Sequence, residues 1–135
     1  MNKKPFTFKK EERLKSRKAI EQLFNSGQSF GQFPLRVVWM ELDHPSGESP
    51  VRFALTVPKK KFKRASNRNR IRRLIRETYR LEKTAFYHSL PSDLQQLGMM
   101  IIYTGREMPE YETVREAMQQ LLYRLSKKCR MSSHR

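Results

Sequence analysis

Eleven lysines and arginines fall within the twenty-two residues from Lys59 to Arg80, against the single acid Glu77, so a net +10 of the chain's +16 sits in one stretch. Guanidinium is the side chain best matched to phosphate, because its planar fork gives two parallel charge-assisted bonds that an ammonium cannot. Arg68, Arg70, Arg72, Arg73 and Arg76 are therefore candidate phosphate ligands, with Lys59, Lys60, Lys61 and Arg64 adding charge just before them. Asn69 suits either a nucleic-acid contact or a bond to nearby backbone. The stretch also has apolar order. Ile71, Leu74, Ile75, Thr78 and Tyr79 recur at i, i+3, i+4, i+7 and i+8, the spacing of one helical face. At about 100° per residue, Arg68, Arg72, Arg73, Arg76 and Arg80 are expected on the opposite side. Charges this dense repel one another unless a partner neutralises them, and the fitting partner is a polyanion.

Residues for hydrolytic or metal chemistry do not converge. His44 reads as a turn residue, His88 as a helix-end residue and His134 as part of the tail. No His or Cys pair has zinc-ligand spacing. Glu11-Glu12 and Glu110/Glu112 read as helix-start residues, where carboxylates are favoured. Cys129, the lone cysteine, reads as a bystander in the basic tail and fits a reducing cytosol. No catalytic residue and no metal ligand is assigned to the chain.

The elements that must position the basic stripe follow from pattern and punctuation. Residues 1–12 read as polar and irregular, with Phe6 and Phe8 as anchors. Ser16 caps a helix to about Ser26, striped by Ala19, Ile20, Leu23 and Phe24 and stopped by Gly27. Residues 35–42 and 51–57 are rich in strand formers, and the turn cluster 43–50 between them predicts an antiparallel hairpin closed by Pro58. Ser66 or Asn67 is the expected cap of the central helix, which runs to about Ser89. Met99–Tyr103 is an unbroken apolar run, as for a buried central strand. A last helix is expected from Tyr111 to Lys127, with a frayed basic tail beyond. The chain reads as one domain over 1–135, with its core at about 8–127 and basic flexible ends. The class is α+β: a compact sandwich of a small, mainly antiparallel sheet and about three helices.

With 29 basic against 13 acidic residues and a pI near 10.5, the composition points to nucleic acid first. No apolar run approaches a membrane span and the N-terminus lacks a signal-peptide core, so no membrane partner is expected and the location is read as cytoplasmic. A DNA regulator fits less well, because so even an arginine stripe suits phosphate contact over base reading and no helix-turn-helix pair precedes it. A structural, ribosomal-type RNA-binding protein fits the composition almost as well. A self-sufficient nuclease would need an active site that the residues do not supply.

The string Ser66-Asn67-Arg68-Asn69-Arg70-Ile71-Arg72-Arg73-Leu74-Ile75-Arg76-Glu77 resembles the bacterial ribonuclease P protein family, which carries Arg-Asn-Arg, a basic pair and Arg-Glu on one long helix. The likeness extends to Arg52–Lys60, a strand ending in a Lys-Lys pair, and to Arg13-Leu14 followed by Phe24-Asn25-Ser26-Gly27, and covers about residues 8–127. Two features depart from the family pattern. One residue is extra between Lys60 and Arg68, where a glycine is also missing, and Ile20 stands where an aromatic is common. The resemblance implies the α+β fold of ribonuclease P proteins, shared with a ribosomal-protein domain. It implies an accessory subunit of the ribonucleoprotein that removes the 5′ leader from precursor tRNA. The chemistry, and most of the Mg2+, would belong to the RNA subunit. The partners would be that RNA and precursor tRNA, with no protein partner required. The segment 59–76 would face the RNA subunit. A cleft between the first helix and the sheet would take the leader, with Ile20, Phe24, Val38 and Met40 lining it and Arg36 and Arg52 supplying charge. Phe33 and Trp39 are further aromatic candidates there, while Phe24, Trp39 and Phe53 read first as core packing and only second as platforms for a base.

Overall fold

The structure, a computed structural model, describes residues 12–43 and 45–133. The expectations for Phe6, Phe8, Glu11, His44 and His134 lie outside the described residues. Ser16 caps the first helix as its sequence expects: its Oγ accepts the Ala19 N–H at 3.2 Å, and α1 runs Arg17–Ser26. Gly27 ends it through close approach. Its backbone is extended, and a methyl group there would run into the Leu23 carbonyl and lie 3.1 Å from Val38.

The chain then forms β1 (Gln28–Gln32), which sequence patterning leaves unassigned because its alternation is too short and polar to stand out. The turn at Phe33-Pro34, whose peptide bond is cis, returns it antiparallel as β2 (Leu35–Glu41). After the 43–50 turns come β3 (Val51–Thr56), α2 (Ala65–Ser89), β4 (Leu97–Tyr103) and α3 (Tyr111–Ser133). The sheet order is β1-β2-β4-β3, with β2 antiparallel and β3 parallel to β4.

The hairpin expected between 35–42 and 51–57 is therefore not formed. The true hairpin is β1-β2, and β4 inserts between β2 and β3. The physical reason is burial. Leu97, Met99, Ile101 and Tyr103 are all buried, as are Gly98 and Met100, and a strand apolar on both sides belongs in the middle of a sheet covered on both faces.

The two faces carry two cores. Leu35, Val37, Trp39, Val51, Phe53, Leu97, Met99 and Ile101 face α2 and α3 and join Ile71, Ile75, Tyr79, Met118, Leu121 and Leu125. Phe53 and Tyr79 stack at 4.1 Å between centroids, 5° from parallel, a pairing worth about 0.5–1.5 kcal/mol beyond the area it buries. The other face is smaller. Leu23 of α1 packs with Val38, Met100, Leu14 and Leu42, flanked by Ala19, Ile20, Met40, Ala54 and Ile102. Trp39 is thus a core residue on the α2/α3 side, 5% exposed, and not a lining of the α1 cleft.

Two further expectations are corrected. Arg64, not Ser66 or Asn67, occupies the α2 cap, and it makes no side-chain capping bond. The last helix continues past Lys127 to Ser133, because Cys129 is buried against the core and carries the apolar stripe one turn further. Cys129 is consequently no bystander; burial first, and the Glu41 charge second, push its thiol up to about 11.

Candidate nucleic-acid interface

The arginines of α2 divide by where the helix carries them. Arg68 is not on the open side. It lies over the N-terminal end of the apolar stripe, half-buried, and its guanidinium donates to the backbone carbonyls of Phe62 at 2.8 Å and Lys63 at 3.0 Å. The reason is angular: Arg68 precedes Ile75 by seven residues, nearly two full turns, and so shares its side of the helix. Its role in this fold is to close the 59–64 loop onto α2. Lys61 secures the same loop from the other end, its Nζ donating to the Thr104 carbonyl at 3.0 Å, while buried Phe62 packs its ring 5.7 Å from that of Tyr103.

Beyond that anchor the stripe opens. Arg70, Arg73 and Arg76 are exposed and Arg72 is half-buried on the flank. Asn69 accepts from the Arg72 guanidinium at 3.0 Å, so its side chain orients an arginine and does not bond backbone. Arg80 pairs with Glu77 at 2.6 Å, which removes it from the open set; the same bond holds the Glu77 carboxyl below the usual carboxylate range. Lys59, Lys60 and Arg64 are exposed beside the loop.

Sequence reading missed Arg13 as part of this surface. Residue 13 bridges to Phe53 on the outer edge of β3, and the Leu14 N–H donates to the Phe53 carbonyl at 2.8 Å. That brings Arg13 alongside α2. Partial burial, then the charges of Arg13 and Arg72, lower the pKa of Arg76. The segment is pinned by a buried network that sequence reading also missed. Lys83 Nζ meets both carboxylate oxygens of Glu12 at 2.7 and 2.8 Å, Tyr87 donates to Glu12 at 2.7 Å, and the Tyr79 and Tyr87 hydroxyls lie 3.0 Å apart. Glu12 is a buried ion-pair partner, not the helix-start residue expected. The only signal for it was a lysine, Lys83, on an otherwise apolar helical stripe. Burial holds both phenols up, with Tyr79 well above the ordinary tyrosine value.

On the α1 face, strand register sorts the expected cleft residues. Arg36, Ile102 and Thr56 form one row across β2, β4 and β3; Val38, Met100 and Ala54 form the next; Met40, Gly98 and Arg52 form the third. α1 crosses the middle row. Phe24, 54% exposed, and Ile20 look toward the Arg36 row, since Gln22 on the opposite flank bonds Asp43 at 2.5 Å. The structure therefore leaves Ile20, Phe24 and Arg36 on one side of α1, while Val38, expected to line the same cleft, is buried under the helix against Leu23. Met40 and Arg52 lie beyond α1, and Arg52 is spent on the Arg13 carbonyl at 3.0 Å and on Ser46. Arg52 instead lines a separate hollow of about 650 Å³ with Lys15, Lys18 and Leu42. Arg36 is exposed and donates to Ser29 at 3.0 Å.

The Arg36 row and the basic loop meet at one end of the sheet, where β2 begins and β3 and β4 end. An exposed aromatic beside an arginine row suits stacked bases with neutralised phosphates, and the arginine flank of α2 suits a folded polyanion. Among the described residues, no group of three or more His, Cys, Asp or Glu side chains is placed to hold a metal ion.

The family model described as Ribonuclease P matches residues 8–126. The ribonuclease P protein component of Porphyromonas gingivalis is 38% identical over 128 residues, covering 90% of this chain and 88% of that one. That of Chlorobaculum tepidum is 33% identical over 121 residues, covering 82% and 77%. Among solved structures, the RNase P protein from Thermotoga maritima superposes with a TM-score of 0.64 at 25% identity, covering 84% of this chain and 96% of that one.

Proposed function

The chain belongs to the ribonuclease P protein family, and from that premise we propose that its two surfaces divide the work: the α2 flank and the 59–64 loop hold phosphates of the RNA subunit, and the groove beside α1 holds the leader of precursor tRNA. It is the RNA-binding subunit of an endoribonuclease whose chemistry lies in RNA, and it assists removal of the 5′ leader.

The observation that carries the division is the sorting of arginines in α2. Arg72, Arg73 and Arg76, with Arg70, present guanidinium to solvent, while Arg68 and Arg80 are engaged within the protein. Neutralising phosphates where two RNAs approach lowers the repulsion that divalent ions would otherwise have to screen. Magnesium, bound mainly by the RNA subunit, is then needed at lower concentration. Phe24, Ile20 and Arg36 add stacking and charge for unpaired leader bases, so precursor binds better than mature tRNA. No protein partner enters this scheme. No helix among the described residues is long and apolar enough to cross a membrane. The proposed location is the cytoplasm, on the ground that the proposed substrate is precursor tRNA.

The test is to combine the protein, a bacterial ribonuclease P RNA and end-labelled precursor tRNA at low magnesium. Cleavage at the mature 5′ end that needs both components is expected. Cleavage by the protein alone would contradict the reading, as would RNA binding without any stimulation.

A further inference from the structure

Phe33 stands 76% exposed in the turn between β1 and β2, the most exposed large apolar side chain in the described structure. It borders a hollow of about 540 Å³ lined also by Pro34, Tyr103, Arg106, Met108 and Pro109, large enough for a nucleobase. The hollow is held from three sides. The Thr104 N–H donates to the Pro34 carbonyl at 2.8 Å, the Tyr103 hydroxyl donates to the Glu107 carbonyl at 2.7 Å, and Lys61 donates to the Thr104 carbonyl at 3.0 Å. That last bond ties the wall of the hollow at Thr104 to the basic 59–64 loop.

Its position also selects between RNA partners. Tyr103 points to the α2/α3 side of the sheet, and the Arg36 row points to the other. The hollow therefore adjoins the surface assigned above to the RNA subunit, not the leader groove. Its charge is divided. Arg106 and the nearby Lys61 supply positive charge, while the exposed Glu107 and Glu110 would repel phosphate from the remaining rim. A backbone is thereby directed to the lysine side while its base enters.

We infer that Phe33 and this hollow receive an unpaired base of the RNA subunit, stacked on the phenyl ring with its phosphate toward Lys61 and Arg106. The inference rests on the proposed function. A base stacked on an aromatic ring contributes about 1–3 kcal/mol, so its loss lowers affinity between about 5-fold and 140-fold.

The experiment is equilibrium binding of wild type, F33A, F33L and F33W to the RNA subunit alone, over a range of salt. Unchanged thermal melting checks that each variant keeps the fold. F33A and F33L are expected to bind weakly, F33W to bind close to wild type, and the salt slope to stay constant because no phosphate contact is removed. F33L binding as tightly as wild type would overturn the inference, since apolarity without a ring would then suffice. A loss seen only when leader-bearing precursor is added would overturn it too. If F33A binds normally while R72A/R73A does not, this inference falls and the proposed function stands; if wild type itself shows no salt-dependent binding, both fall.

Discussion

Arg68 and Arg72 sit one turn apart and do different work. Arg68 is spent on two loop carbonyls, and Arg72 is held at the surface by Asn69. Composition could not separate them, because both are arginines on one helix. Only the seven-residue spacing to Ile75 shows that Arg68 lies on the packed side. This separation gives a prediction. N69A keeps every charge but frees the Arg72 guanidinium, so affinity for the RNA subunit falls by about 2- to 10-fold, the cost of one hydrogen bond, with an unchanged salt slope. R72A should lower both affinity and slope; equal slopes for N69A and R72A would refute the distinction. A second prediction concerns Cys129. With its thiol pushed up to about 11, it is neutral at pH 8, and the thiolate is the reactive form. A thiol reagent should label the native protein at pH 8 far more slowly than the urea-unfolded chain; equal rates would contradict the burial.

At the scale of elements, much of the outline was legible. Ser16, Gly27 and the apolar stripes mark α1, α2 and α3, and the continuous run before Tyr103 marks β4 as central. Strand pairing was not legible. The dense turn cluster 43–50 suggests a hairpin, but pairing is decided by which strand must be buried on both faces, and that is β4. The Glu12–Lys83 pair was equally hidden, because its partners are 71 residues apart. Removing one partner of such a buried pair leaves an uncompensated charge. K83A should therefore lower stability by about 3–5 kcal/mol in urea unfolding, a large fraction of the roughly 5–15 kcal/mol typical of a domain. A loss under 1 kcal/mol would show that the network does not clamp the N-terminal segment. The raised tyrosines add a pH dependence. Folding favours the neutral phenols, so their contribution is intact below the ordinary tyrosine value of about 10 and is lost as the pH rises beyond it. Y87F should be less stable than wild type at pH 7, yet lose stability less steeply above pH 10.

For the whole molecule, the arrangement places two unlike surfaces at one end of one sheet. β3 runs straight into the basic loop and α2, so the strand that closes the Arg36–Ile102–Thr56 row also delivers the arginine flank. A substrate leader in the groove and an RNA subunit on the flank would then be held by a single rigid support. Net charge made a polyanionic partner legible from the sequence, and the arginine motif made the family legible. What neither carried was that Arg52 and Met40 fall on the far side of α1, because that depends on where the helix crosses the sheet. The most direct test of the division between surfaces is the salt dependence of binding to the RNA subunit for wild type, R72A/R73A and F24A. Each lost phosphate contact lowers the slope of log affinity against log salt by roughly 0.7–0.9, so R72A/R73A should lower it by about 1.4–1.8 while F24A leaves it unchanged. An unaltered slope in R72A/R73A, or an equal fall in F24A, would contradict the account.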